Sequence, residues 1–225
     1  MFLLRQHIVI SLGGSLINPG KVDIAFLRKF RDSILSLSKR FRFFIVCGGG
    51  KISRDYISAG KSFNLSHSEL DRLGIYGTKL NALLLKMIFG NKAVLAQDFA
   101  FFKEKRFEQH RKIIIASGYS PGCSSDKVAV DIAVIANAGR IINMSNIDYV
   151  YDKNKNNLYN ISWDLFFKIV GKKWVPGKNV PFDPVASKKA KSAGKKVIIL
   201  NGKKLKNFEN AVLEKRFSGT TIFNF

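Results

Sequence analysis

The chain has 225 residues, 46% of them hydrophobic, which suits one α/β domain spanning 1–225 and is too short for two well-cored domains with a generous linker. Lys and Arg number 38 against 16 Asp and Glu, a net charge of +22 that attracts nucleotides, nucleic acids and anionic surfaces alike; the basic residues are scattered without a nucleic-acid motif, so no sequence-specific nucleic-acid partner is expected. No run approaches the roughly 18 apolar residues of a membrane span, Gly13 and Gly14 interrupt the apolar start before any cleavage site, and Cys47 and Cys123 show no metal-ligand spacing, all of which fits a cytoplasmic protein with reduced thiols.

In chain order, His7 to Leu12 reads as a buried strand that stops at Gly13-Gly14-Ser15. Val22, Ala25, Phe26, Phe30 and Ile34 recur at helical spacing and predict a crossover helix. Phe41 to Cys47 is a second apolar run, ending in Gly48-Gly49-Gly50. Strand, helix and strand in that order make a βαβ unit and imply a parallel sheet. Lys51 to Gly60 predicts a helix opening from the triple glycine, and Leu70 to Phe89 a long one carried by Leu73, Leu80, Leu84 and Met87. Ala93 to Ala96, Lys112 to Ala116 and Ile141 to Met144 read as buried strands, with a nearly wholly apolar helix from Val128 to Ala136. Helices near Trp163 to Ile169 and Pro184 to Ala193 and a strand from Val197 to Leu200 continue the alternation. Residues 153–157 and 171–181 are polar or rich in Pro and Gly and read as loops. No internal repeat is visible.

A glycine turn after a buried strand lets backbone N–H groups approach a phosphate, and the helix that follows points its positive end at the same place. The chain does this twice, at Gly13-Gly14-Ser15 and at Gly48-Gly49-Gly50, and in one parallel sheet both turns face the same crevice. Two phosphate cradles suit a reaction between two phosphorylated molecules. Neither turn fits a P-loop or a dinucleotide fingerprint. Arg54, one helical turn beyond Gly50, would bring a guanidinium to the same phosphate. A third cluster, Tyr119-Ser120-Pro121-Gly122-Cys123-Ser124-Ser125-Asp126, joins a strand to a helix, and Ser124 or Asp126 would also serve as an N-cap.

In order along the chain, Ile8 to Ser15, Gly48 to Ile57, Asp71 to Leu84, Pro121 to Asp126, Ser145 to Asp152 and Phe182 to Ala186 resemble the archaeal uridylate kinases of the amino acid kinase superfamily, and the resemblance runs to Gly219-Thr220-Thr221-Ile222. It implies a three-layer αβα sandwich with a mainly parallel central sheet, an ATP site with Mg2+ beside a UMP site, and a homohexamer. By the same resemblance, the part up to about residue 140 supplies the phosphate loops and the acceptor site, and the remainder holds the nucleoside of ATP. Gly14, Ser15, Gly50 and Arg54 would hold the ATP phosphates, with Ser145, Asn146, Tyr151 and Asn154 at the adenosine end. Gly49, Asp71, Thr78 and the stretch Tyr119, Ser120, Pro121, Gly122, Cys123, Ser124 and Ser125 would form the UMP site, with Asp71 on the ribose hydroxyls. Asn81 matches the same helix motif.

The chain departs from the family at several positions. Tyr149 stands where a Gly is usual, Asn154 where Asp is usual, Lys79 where Arg is common, and Ser11 where many relatives carry a lysine. A phosphate oxygen as nucleophile is already ionised and needs no general base, which agrees with the absence of His7, His67 and His110 from the glycine motifs. Positive charge and alignment are needed instead. Arg54 is the expected catalytic cation, Asp126 the expected orienter of a lysine or a Mg2+-bound water, and Lys51 and Lys188 are candidate cations. The competing expectations are another small-molecule kinase of the fold, such as an isopentenyl phosphate kinase, and a weakened nucleotide- or RNA-binding protein.

Overall fold

The computed structural model describes residues 6–110, 113–171 and 180–224, and an eight-stranded sheet forms its centre. The strands are β1 (Gln6–Leu12), β2 (Phe41–Cys47), β3 (Ala93–Leu95), β4 (Ile113–Ala116) and β5 (Arg140–Ser145), then a separate hairpin of β6 (Val150–Tyr151) and β7 (Asn157–Leu158), then β8 (Asn160–Ser162), β9 (Lys196–Asn201) and β10 (Thr220–Phe223). Across the sheet the order is β3-β4-β2-β1-β5-β9-β10-β8. Neighbours from β3 to β9 pair parallel, whereas β10 runs antiparallel to β9 and carries β8 parallel to itself. The chain leaves β1 first towards β2 and later returns to its other side as β5, so the carboxyl end of β1 is a switch point, where α/β sheets open a crevice.

The helices are α1 (Gly14–Ile17), α2 (Ile24–Leu37), α3 (Gly50–Ser62), α4 (His67–Phe89), α5 (Ala100–Lys103), α6 (Ser125–Ile135), α7 (Trp163–Val170), α8 (Pro184–Ser192) and α9 (Leu205–Val212). Successive strand residues point to opposite faces, and both faces are apolar. Ile8, Ile10, Leu12, Phe43 and Ile45 share one core layer with residues of α1, α2, α4 and α9, while Val9, Phe44, Val46, Ile141 and Val197 share the other with residues of α5, α6, α7 and α8. The result is the three-layer sandwich with a mainly parallel sheet.

Several boundaries differ from the sequence reading for identifiable reasons. Helix α2 starts at Ile24, after Val22, because the Asp23 carboxylate accepts from the Phe26 N–H at 2.9 Å and caps it. Helix α4 starts at His67, ahead of Leu70, because Ser66 and Glu69 form a reciprocal capping box. Leu80 and Met87, expected on the buried face of α4, are 52% and 64% exposed; Leu70, Ala82, Leu85 and Phe89 are the buried ones. An apolar helix can present two stripes at helical spacing, and the sheet took the other one. The sequence reading has no counterpart for α1, α5, α9, β6, β7, β8 or β10. Lys112 and residues 172–179 lie outside the described residues.

Candidate active site

The turns after β1 and β2 are locked into each other. The Gly13 N–H donates to the Met144 carbonyl at 2.8 Å and the Gly48 N–H to the Leu12 carbonyl at 2.9 Å. A Cβ on Gly14 would lie 2.0 Å from the Gly50 nitrogen and 2.6 Å from the carbonyl carbons of Gly48 and Gly49. Gly50 has φ +65, and a Cβ there would meet the Gly14 oxygen at 2.3 Å. Only glycines let the two backbones come this close. Asn81 of α4, 3% exposed, donates its amide to the carbonyls of Gly48 (2.8 Å) and Gly49 (3.1 Å) and fixes the second turn from behind. Ser53 of α3 reaches across to the Gly74 carbonyl at 2.8 Å, drawing α3 against α4.

A cleft of about 280 Å³ opens beside these turns. Gly49, Gly50 and Arg54 line one end; Asp71 and Thr78 line its α4 wall; Ser120, Cys123, Ser124 and Ser125 line the opposite wall. Arg54 is exposed and, among the described residues, makes no hydrogen bond or ion pair, so its guanidinium is available to a ligand. One Asp71 oxygen accepts from the Gly122 N–H at 2.8 Å, and the Thr78 hydroxyl accepts from the Gly118 N–H at 2.9 Å while donating to the Ile75 carbonyl. These two bonds tie the 118–124 loop to α4. Ser124 caps α6 by accepting from the Lys127 N–H at 3.1 Å. Pro121 and Gly122 form the exposed tip of the loop, where Gly122 has φ +76. Tyr119 is apart from the rest: its ring packs on Phe99 and Phe102, with centroids 5.6 and 6.4 Å away, and burial pushes its phenol pKa up.

Beneath the first turn lies a polar knot. Ser11 and Asn143 are register partners on β1 and β5, on the face towards α6. Both donate to one oxygen of Asp126, each at 2.9 Å, and the other oxygen accepts from the Asp183 N–H at 3.1 Å. Asp183 in turn caps α8, accepting from the Ala186 N–H at 2.7 Å. Burial pushes the Asp126 carboxyl up to about 6; the bonds from Ser11, Asp183 and Asn143 oppose the shift, and the Asp183 carboxylate adds to it. Among the described residues no lysine is paired with Asp126, so its observed task is to join two strands to the start of α8. Of the lysines singled out from the sequence, Lys51 is ion-paired with Asp55 and Lys188 is exposed on α8.

On the other side of the first turn, the end of β5 brings Ser145, with Asn146 following it, next to Gly13. The Ser145 Cα lies 3.6 Å from where a Gly13 Cβ would stand, and its hydroxyl accepts from the Ile147 N–H at 3.4 Å. Tyr151 and Asn154 belong to the β6–β7 hairpin, whose turn is held by the Asp152 carboxylate accepting from the N–H groups of Asn154 and Asn156. Tyr149 meets Tyr159 edge to face at 5.3 Å. The Val150 N–H anchors the hairpin on the Thr220 hydroxyl at 2.8 Å.

The model of the amino acid kinase family matches residues 6–201. The chain belongs to the amino acid kinase family. A uridylate kinase of Pyrococcus abyssi is 33% identical over an alignment that covers 96% of this chain and 99% of that one, and a uridylate kinase of Methanocorpusculum labreanum is 29% identical over 97% and 96% of the two chains. The crystal structure of uridylate kinase from Archaeoglobus fulgidus superposes with a TM-score of 0.81 at 29% identity, covering 96% of this chain and 99% of that one. A UMP kinase from Ureaplasma parvum shares the fold, with a TM-score of 0.80 at 19% identity.

In this amino acid kinase, sequence reasoning missed Asn143, a member of the Asp126 knot, and Lys127, which lines a second cavity adjoining the cleft. The signal for Asn143 was an amide inside the apolar run Ile141-Ile142-Asn143-Met144, since a buried polar group in a central strand requires a partner. Nothing local marked Lys127, which reads as an ordinary basic residue on a helix.

Proposed function

We propose that this amino acid kinase transfers the γ-phosphoryl group of ATP, taken up with Mg2+, to UMP, giving ADP and UDP. The observation that carries the proposal is the interlock of Gly14 with Gly48 to Gly50, which sets two phosphate-cradling turns in backbone contact at the mouth of one cleft; the likeness to uridylate kinases along nearly the whole chain supports the choice of acceptor. Gly14, Ser15 and Gly50 would hold the ATP phosphates, with Ser145, Asn146, Tyr151 and Asn154 towards its nucleoside. Gly49 would face the UMP phosphate, Asp71 its ribose, and Thr78 and the 120–125 loop the remainder. One domain over 1–225 would carry both halves, the acceptor side up to about residue 140 and the donor nucleoside beyond.

An oxygen of the UMP phosphate attacks the γ-phosphorus as the bond to the β–γ bridging oxygen breaks, and ADP leaves with that electron pair. No proton need be removed from the nucleophile. The protein's task is to align two anions and to balance charge on the moving group, and Arg54 with the turn N–H groups would do so. The Asp126 knot would keep the floor of the site in register.

A homo-oligomer, a hexamer by family likeness, and a cytoplasmic setting belong to the same proposal. Tyr76, Leu80, Leu83 and Met87 leave an exposed apolar stripe along α4, the kind of surface that monomers rarely expose. A coupled assay with Mg-ATP and UMP, CMP, AMP or isopentenyl phosphate tests the activity. Turnover of UMP above the others is expected, and phosphorylation of none of them would remove the kinase reading.

A further inference from the structure

Beyond the acceptor cleft lies a second cavity of about 350 Å³. The two share Asp71, Cys123 and Ser124 as a common wall, and the second continues to Lys127, Val185 and His67. The residues therefore follow one another in a definite order: Arg54 with the glycine turns, then Asp71, then Lys127. A nucleoside monophosphate has the same order, phosphate, sugar and base. Val185 and the Cys123 side chain give the far cavity apolar surface for the faces of a heterocycle, and Lys127 gives it a cation.

Lys127 is built into this place. Its side chain is 26% exposed, and its ammonium pairs with Asp131 at 2.9 Å. Asp131 is itself held by Lys189 of α8 at 2.6 Å. The hydrogen bond to Asp131 raises the pKa of the Lys127 ammonium, so it stays charged. An ammonium has three N–H donors and no acceptor. Asp131 engages one of them, which leaves a donor for a ligand atom in the cavity.

We propose that Lys127 determines the choice of pyrimidine: the cavity beyond Asp71 receives the base of the acceptor, and the free Lys127 donor bonds the O4 carbonyl of uracil. Cytosine presents an amino group, itself a donor, at that position, so its binding would oppose donor to donor and leave the ammonium unsatisfied. A site built to bond one substrate group discriminates strongly against the analogue that lacks it. The inference rests on the acceptor reading above, but it can be tested without turnover.

The experiment is calorimetric titration of UMP and CMP into the ATP-free wild-type protein and into Lys127→Met, Lys127→Arg and Asp131→Asn, each checked by thermal melting. Wild type should bind UMP more tightly than CMP. Lys127→Met should weaken UMP by about 10- to 100-fold, the range for a hydrogen bond to a charged group, and leave CMP almost unchanged, so that the preference disappears. Lys127→Arg, which keeps a charged donor, should retain a preference for UMP. Asp131→Asn, which removes the ion pair but not the ammonium, should retain it too. Equal binding of the two nucleotides by wild type, or equal losses of both in Lys127→Met, overturns the proposal; so does an Asp131→Asn protein that behaves like Lys127→Met, because Lys127 would then act only as a strut. UMP that binds in preference to CMP yet is never phosphorylated would remove the kinase reading and leave this one standing.

Discussion

The two ends of the acceptor cleft are made differently. At the glycine end the contacts are backbone on backbone: Gly14 against Gly48 to Gly50, with Asn81 holding the second turn by its carbonyls. At the far end and in the cavity beyond it side chains do the work, with Asp71 on the loop N–H of Gly122 and Lys127 held by Asp131. A backbone-made end has almost no freedom to vary, since a Cβ added at Gly13, Gly14, Gly48 or Gly50 collides with main chain and one at Gly49 with the Ser53 side chain. A side-chain-made end can change its chemistry by single substitutions without touching the fold. On the proposed reading, the first end would suit what every phosphate shares, the second what distinguishes one acceptor from another.

The sharpest way to break this contrast is Gly14→Ala. The added methyl would overlap the Gly50 nitrogen, and either turn must move; a destabilisation of about 3 kcal/mol and loss of nearly all activity are expected, read from thermal melting and a coupled assay. A variant that melts with wild type and turns over normally would show the interlock to be dispensable. Arg54→Ala comes next. Arg54 has no partner among the described residues to lose, so melting should be unchanged while turnover falls roughly 100- to 1000-fold, as on removing one donor aimed at developing charge. Near-normal turnover would make Arg54 a surface residue.

Asp71→Ala should act on binding. Its ribose contact would be the same in ground and transition states, so KM for UMP should rise by about 10- to 100-fold with kcat largely kept; a fall in kcat at unchanged KM would place Asp71 at the chemistry. The smallest effect concerns pH. With its carboxyl pushed up to about 6, Asp126 loses its charge as pH falls through 6, and if the ionised form is the working one, the rate at pH 5 should be about a tenth of the plateau. Stability runs the other way. The raised value means that the folded state holds this proton more tightly than the unfolded one, so the contribution of Asp126 to stability is full below pH 4 and declines as pH rises towards 6. Comparing the pH–rate profile of wild type with that of Asp126→Asn checks the first point, since the variant should lose the acidic limb. Melting of the two proteins across the same range checks the second.

The same contrast explains what could be read from the sequence. The turns were legible because a glycine is required wherever a side chain would strike main chain, and Gly13, Gly14 and Gly48 to Gly50 each follow an apolar strand. The position of Arg54 beside the second turn was legible because one helical turn is a fixed distance. The strands from β1 to β5 and β9 were legible because apolar runs on a doubly covered sheet have no polar face to confuse them. Lys127 was not, since its meaning depends on Asp131 and Lys189, and Lys189 comes from a helix 62 positions further along the chain. Tyr119 misled in the opposite sense: a phenol in a loop motif suggests a ligand, but Phe99 and Phe102, distant in sequence, claim its ring. Strand β10 went unread because Thr220–Phe223 opens with two threonines and so offers neither an apolar run nor a clean alternation.

The interlock of the glycine turns also makes the molecule a gauge. Because Gly14 and Gly50 touch through their main chains, neither turn can be displaced alone, and the spacing between whatever anions the two turns hold is set by main-chain contact and not by the closing of a flap. A synthetic compound tethering an adenosine to a uridine through a polyphosphate bridge would be measured by that gauge: one bridge length should bind far better than the next shorter or longer one, in place of the gradual dependence that a hinged clamp would tolerate.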